Sequence, residues 1–459
     1  MMLTPKVGFV VYGTHRGVDD PMGQPFIDQK IIDKCRNALV KEGLKVVETS
    51  PIVVTREDAN KTILPLAKDD SIDALILFSG TWIWAGEMIG AICEFAMTGK
   101  GIIVWTYPGS QGWRPVGGLV LKAALEEVGI PYRYVYGKSE NKKDMERITS
   151  YVHASALKNK VSNTRLGALG GRGMGQTCGV ADPAQWMKTF GIDIDSRDTT
   201  DLIQTAKKVT KKELDEVWKM VKTRFKELPA DDEQTERSFR IYVALKKLIK
   251  KNGWDYYTIQ SFPGFGDDYG ATCFAQSMIL DDGIPTSTLS DFNTCLTSIL
   301  VMFLSNDSIY YGDFQCIDKE KKEIKIIGDG ACPTCLADKN GAVFATHGIP
   351  TEGAAGGISV SLTCKAGKGV LARVCRENGQ FALVVTRAEV KVPSAKDLKK
   401  RKLECGIPFW PHAFVYPQCD IEELLQHWHN EYACLGYGEE LYERLVAFGE
   451  LTGMKVYAL

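Results

Sequence analysis

Four glycines, Gly170, Gly171, Gly173 and Gly175, follow a short apolar run at 166–169. Asp182-Pro183 then opens a helix pattern through Gln185 and Trp186, and a second strand-like run at 191–195 leads to an acidic helix start at 196–202. The order is strand, glycine turn, helix, strand. Such glycines let a backbone approach a ligand or a partner chain closely. Gly171-x-Gly173-x-Gly175, with Asp193 and Asp195 about 20 residues on, is a degenerate form of the dinucleotide fingerprint and lacks its GxGxxG spacing. An ordinary αβ unit whose glycines only pack helix on sheet accounts for it as well. Cys332-Pro333-Thr334-Cys335 has the spacing of a zinc or redox pair, but no second pair has matching spacing, so it reads as two loop thiols. His347 reads as a loop residue. Trp82 and Trp84 lie on a glycine loop, where an aromatic plane can stack on the C–H face of a sugar or simply cap a sheet.

The elements that would position these residues fall into three stretches. Residues 1–160 alternate strand and helix patterns, the signature of a parallel sheet covered by helices. In such sheets ligands sit beyond the carboxyl ends of the strands. That gathers the loops 13–16, 79–84 and 107–110 at one edge. Residues 161–304 form a second α/β stretch, with charged amphipathic helices at 211–227 and 234–252 and a strand ending at Gln260. From 305 to 459 the segments are short and β-rich, which predicts an antiparallel sheet or barrel. A surface basic run at 396–402, helices at 421–428 and 439–452 and a last strand at 455–458 complete it.

At 459 residues the chain has room for about three domains. Its net charge of −1 gives no general electrostatic case for nucleic acid or an acidic membrane. No window of 18 uninterrupted apolar residues marks a membrane span. The first residues carry no long apolar run and no small-residue cleavage site, and the 13 cysteines are odd in number and scattered. These features fit a cytoplasmic protein with reduced thiols.

The linked signatures LGGRGMG (169–175), DPAQW (182–186) and FGIDID (190–195), with IPTSTLSDFN (284–293), IYYGDF (309–314) and FWPHAFV (409–415), resemble the L-fucose isomerase family of aldose–ketose isomerases. The resemblance spans essentially the whole chain. It implies two doubly wound α/β domains followed by a β-rich C-terminal domain, a homo-hexamer, and movement of a proton between C1 and C2 of a monosaccharide or derivative through an enediol. It implies a divalent metal, Mn²⁺ foremost, held by a glutamate, an aspartate and a histidine. The aspartate falls on Asp313. The glutamate position holds Leu289. The histidine position holds Tyr432, a poor hard-oxygen donor, with Glu431 beside it. Asp291 and Glu431 are then the acids that could join Asp313 in catalysis, with or without metal. For the substrate the resemblance points to Gln260, to Trp82 in the pocket of a neighbouring subunit, to Tyr432, and to His15 and Arg16. The altered ligand set leaves open a non-standard reaction on a sugar derivative, or a catalytically silent sugar-binding or scaffold subunit.

Overall fold

The computed structural model describes residues 3–14, 26–109, 113–173, 176–346, 355–404 and 407–459. The expectations for His15, Arg16 and His347 lie outside the described residues. Two compact units are present: Met2–Lys160 with Glu443–Gly453, and Val161–Tyr442 with Met454–Leu459.

In the first unit five strands pair in parallel in the order β2-β1-β3-β4-β5: β1 Lys6–Tyr12, β2 Lys45–Glu48, β3 Ala74–Ser79, β4 Gly101–Thr106 and β5 Arg133–Tyr136. Every residue of β3 and β4 is buried. Their unbroken apolar runs are what a strand covered by helices on both faces requires. The helix Arg56–Lys68 starts on a capping box between Thr55 and Asp58, which satisfies two of its first free N–H groups. The helix Arg114–Glu127 lies so close to the loop after β3 that a Cβ on Gly117 would stand 2.4 Å from the Thr81 carbonyl oxygen.

The second unit joins a parallel sheet to an antiparallel one. β6 Thr164–Leu169, β7 Ile192–Arg197, β8 Tyr256–Ile259 and β9 Thr286–Ser287 run parallel in the order β7-β6-β8-β9. The later strands are β10 Tyr310–Asp318, β11 Glu323–Ile327, β12 Val343–Thr346, β13 Ile358–Ser361, β14 Gly367–Glu377, β15 Gln380–Val390, β16 His412–Pro417, β17 Tyr432–Tyr437 and β18 Lys455–Ala458. Antiparallel pairings run β14-β17-β10-β11-β16-β15 and return from β15 to β14, closing a six-stranded ring, with β18 added in parallel to β15. Of the sheet or barrel expected after residue 305, the ring is the barrel form. One apolar core, including Phe239, Tyr257, Phe274, Tyr310 and Val384, runs from the helices of the parallel sheet into this ring. The 304/305 boundary drawn from the sequence falls inside this unit.

Candidate active site

Strand register assembles the site. On β10, Asp313 pairs with Tyr432 of β17 on one side and with Ile327 of β11 on the other. Residues directly opposite across an antiparallel ladder share a face. Two residues beyond Ile327 the chain turns through Gly328-Asp329-Gly330. A cavity of about 350 Å³ opens here, lined by Asp313, Asp329, Glu431 and Tyr432 together with Thr288, Leu289, Phe262 and Phe314. That volume is within the roughly 300–1,000 Å³ of small-molecule sites.

Asp329 is held by two side-chain hydroxyls. Its Oδ2 accepts a hydrogen bond from the Tyr432 hydroxyl and another from Thr288 Oγ1 at 2.8 Å. Burial lifts its carboxyl above the ordinary carboxylate range, with the two hydroxyls pulling it back and the charge of Glu431 adding to the rise. Tyr432 is 2 % exposed. Burial drives its phenol far up, and the carboxylates of Asp329 and Asp313 push the same way, so it acts as a hydroxyl and not as a phenolate. Glu431 is exposed and accepts from Gln176 Nε2 at 2.9 Å. The Phe314 amide binds the Glu431 carbonyl at 3.0 Å.

The wall at Leu289 is strained. Leu289 and Ser290 both have positive φ, 58° and 53°, a conformation that costs a residue with a Cβ about 1–2 kcal/mol. The turn is fixed by Ser290 N–H donating to the Ile259 carbonyl at 2.9 Å. The glycine segment presses on it from outside: a Cβ on Gly173 would stand 1.7 Å from the Leu289 carbonyl oxygen. Gly173 thus serves a close backbone approach, within the chain itself.

Asp313, Glu431 and Tyr432 come together in this cavity; of the other expected site residues that are described, neither Asp291 nor Gln260 lines it. Asp291 caps the helix Phe292–Ser305 through the Thr294 amide at 3.0 Å and hydroxyl at 2.8 Å. Its Oδ2 also pairs with Arg373 Nη2 at 2.8 Å, the side chains being 2 % and 1 % exposed. Burial alone would raise the Asp291 carboxyl, but the Arg373 charge and these hydrogen bonds hold it below the usual range. The remaining Arg373 donors go to the carbonyls of His429 and Tyr432 and to Thr294 Oγ1. A carboxylate so committed is held as a structural anchor, away from the cavity where the expectation of a catalytic acid would put it.

Gln260 is half-buried at the end of β8, and its Oε1 accepts from the Gly171 amide at 2.9 Å. Ser261 and Phe262, the next two residues, reach the cavity wall. Trp82 belongs to the first unit, where its ring meets that of Trp84 edge-on at 5.0 Å. Asp329 was not singled out from the sequence; its signal is an acid between two glycines at a strand end, directly before the Cys332–Cys335 pair.

The donor set does not match the three-ligand metal centre that the resemblance implies. The Leu289 side chain offers no donor atom, and the Tyr432 hydroxyl is given to Asp329. Among the described residues no group of three His, Cys, Asp or Glu side chains is disposed to hold an ion. The twelve cysteines among the described residues are all free thiols, Cys332 and Cys335 included.

No family model matches the chain. A sulfoquinovose isomerase of Priestia aryabhattai is 22% identical over 450 residues, which are 95% of this chain and 98% of that one. A sulfoquinovose isomerase of Clostridium sp. (strain MSTE9) is 25% identical over 301 residues, 64% of each chain. One from Alkalicoccus urumqiensis is 23% identical over 280 residues, 60% of this chain and 61% of its own. Among solved structures, a periplasmic solute-binding protein from Actinobacillus succinogenes 130z with bound D-allose covers 62% of this chain and 76% of its own, at 11% identity and a TM-score of 0.19, too low to carry an argument. The named relatives support an enzyme of the isomerase class and a place among sugar isomerases.

Proposed function

We propose that this protein is an aldose–ketose isomerase acting on a sulfonated sugar. The observation that carries the reading is the cavity of about 350 Å³ in which Asp313, Asp329 and Glu431 stand together. Aldose–ketose isomerisation needs a base over a C–H bond and an acid at the adjacent oxygens. Three carboxylates in one small cavity supply candidates for both. The sulfonated substrate is taken from the names of the relatives, and the close relation to L-fucose isomerases from the motifs quoted above.

The reaction is read as running through the pocket's carboxylates, because the donor set does not match the expected Mn²⁺ centre. Several parts of the reading go with it: a homo-oligomer, hexameric as in the family it resembles, and a cytoplasmic location. The oligomer is supported by apolar side chains left exposed on the first unit, among them Trp84 at 63% and Met97 at 74%. The location is supported by the free thiols, and no helix among the described residues is long and apolar enough to cross a membrane.

The test is to incubate the purified protein with sulfoquinovose, L-fucose, L-arabinose and D-glucose and to follow ketose formation by NMR, with elemental analysis of the same sample. Sulfoquinovose should turn over fastest. Leu289, at the position where the family places a glutamate, favours one second reading, a sugar-binding protein without turnover. Saturable binding of a sugar with no product from any of the four would establish that reading over the first.

A further inference from the structure

We propose that Asp329 is the catalytic base of this site, the carboxylate that carries the proton between C1 and C2, and that Tyr432 and Thr288 are positioning residues that aim it. The assignment rests on the isomerase reading above and goes beyond it, since neither the sequence signatures nor the resemblance points to residue 329.

The geometry separates Asp329 from its neighbours. Both hydroxyl donors, from Tyr432 and from Thr288 at 2.8 Å, go to the same oxygen, Oδ2. The two hydroxyls also contact one another, Thr288 Oγ1 lying 3.3 Å from the Tyr432 oxygen. A carboxylate fixed through one oxygen presents the other in a set direction, which is the preorganisation a proton-transferring base needs.

The backbone beneath it is equally fixed. The Gly330 amide closes onto the Gly328 carbonyl at 2.7 Å, and the Val360 amide binds the Gly330 carbonyl at 2.9 Å. Cys273 Sγ donates to the Asp329 carbonyl at 2.8 Å. Gly330 has φ +72°, and a Cβ there would stand 2.4 Å from Ser359 Oγ, so only glycine fits the turn that aims Asp329. By contrast Glu431 is exposed and bound by Gln176 Nε2 at 2.9 Å, and Asp291 is sealed in its ion pair. Asp329 is half-buried, so it lines the cavity without being sealed from it. Burial also makes it a stronger base than a solvated carboxylate.

The step balances within the site. Asp329 takes the proton from C2 as the C2–H bond breaks. The freed electron pair forms the C1=C2 bond, the carbonyl electrons move to O1, and O1 takes a proton from a second pocket acid, giving the cis-enediol. The protonated Asp329 then gives its proton to C1 as C2=O forms and the O2 proton returns to that second acid. One proton has moved from C2 to C1, one from O2 to O1, and no oxidant is used.

The experiment compares wild type with Asp329→Asn, Tyr432→Phe and Thr288→Val for kcat and KM on sulfoquinovose, sugar affinity by calorimetry, and melting temperature. Asp329→Asn should fold, bind sulfoquinovose within about threefold of wild type, and lose about 10²–10⁴-fold in kcat. Tyr432→Phe and Thr288→Val should lower kcat with KM little changed; a purely structural role would move KM and melting temperature together. If Asp329→Asn does not fold, Asp329→Glu replaces it, keeping the charge and displacing the oxygen, with kcat expected to fall while affinity holds. Turnover by Asp329→Asn, or by that replacement, at the wild-type rate overturns the assignment and leaves the isomerase reading standing. Equal losses of affinity and turnover overturn it too, making Asp329 a binding residue. A wild type that binds these sugars but converts none ends both.

Discussion

Two carboxylates that the sequence offers alike, Asp291 and Asp313, have opposite fates. Asp291 is ion-paired with Arg373 in a fully buried network, and removing it strands a guanidinium. Asp291→Ala should therefore destabilise the protein by roughly 3–5 kcal/mol, the cost of breaking a buried pair from one side, read by denaturant unfolding. A loss below about 1 kcal/mol would mean that water reaches Arg373. Asp313 lines the cavity, and Asp313→Asn keeps its shape while removing its charge. Turnover should fall by about 10²-fold or more with melting temperature nearly unchanged; normal turnover would take Asp313 out of the chemistry. Gln260→Ala removes the acceptor of the Gly171 amide, so it should cost about 1 kcal/mol of stability as well as loosening the glycine turn. At this scale the sequence was legible where a motif surrounded the residue, as IYYGDF surrounds Asp313. It was not legible at Asp329, because an acid between two glycines is the ordinary composition of a turn. Only the pairing of β10 with β11 and β17 brings that turn to Tyr432.

Among the elements, the βαβα stretch was readable because its strands are apolar runs alternating with amphipathic helices. The misses share a cause. β16 is buried at five of its six positions and β17 at all six, so neither alternates, and His412, Pro417 and Gly436 keep them from the unbroken apolar runs of β3 and β4. The basic run expected merely as surface forms the helix Ala395–Leu403, none of whose residues is buried; with no apolar face it has no helical period to read. The glycine segment gives this scale its prediction. Gly173→Ala forces a Cβ against the Leu289 carbonyl, and backbone cannot yield as a side chain would. The variant should displace the Thr288–Leu289 wall, lowering kcat/KM on the best substrate at least tenfold together with melting temperature. Gly171→Ala, where the nearest atom stands at 3.7 Å, is the control and should change both far less.

Across the whole molecule, each compact unit buries a histidine that stays uncharged. In the first, His153 is 7% exposed, its Nδ1 is 2.8 Å from the Thr149 carbonyl, and burial with the nearby Arg444 charge pushes its pKa down to about 4. In the second, His412 on β16 is fully buried between Lys402 and Lys325, and burial takes it down to about 3. In the unfolded chain both titrate near 6.5. Between pH 6.5 and 4 the unfolded state therefore binds more protons than the native one, and stability falls as the pH drops through that window. A depression of this size amounts to about 3 kcal/mol for His153 at pH 4. The buried Asp291 works in a lower window: its carboxyl is held below 3.8, so its contribution is intact above that value and is lost only in stronger acid. Unfolding free energy should thus decline from about pH 6.5 to 4, before carboxylate protonation dominates. The check is urea denaturation at pH 7, 5.5 and 4.5 on wild type and on His153→Gln, which cannot take up a proton. The variant should begin less stable at pH 7 and lose less on acidification. Parallel declines in the two proteins would show that His153 is protonated in the native state as readily as in the unfolded one, and would remove it as a source of acid sensitivity in the first unit.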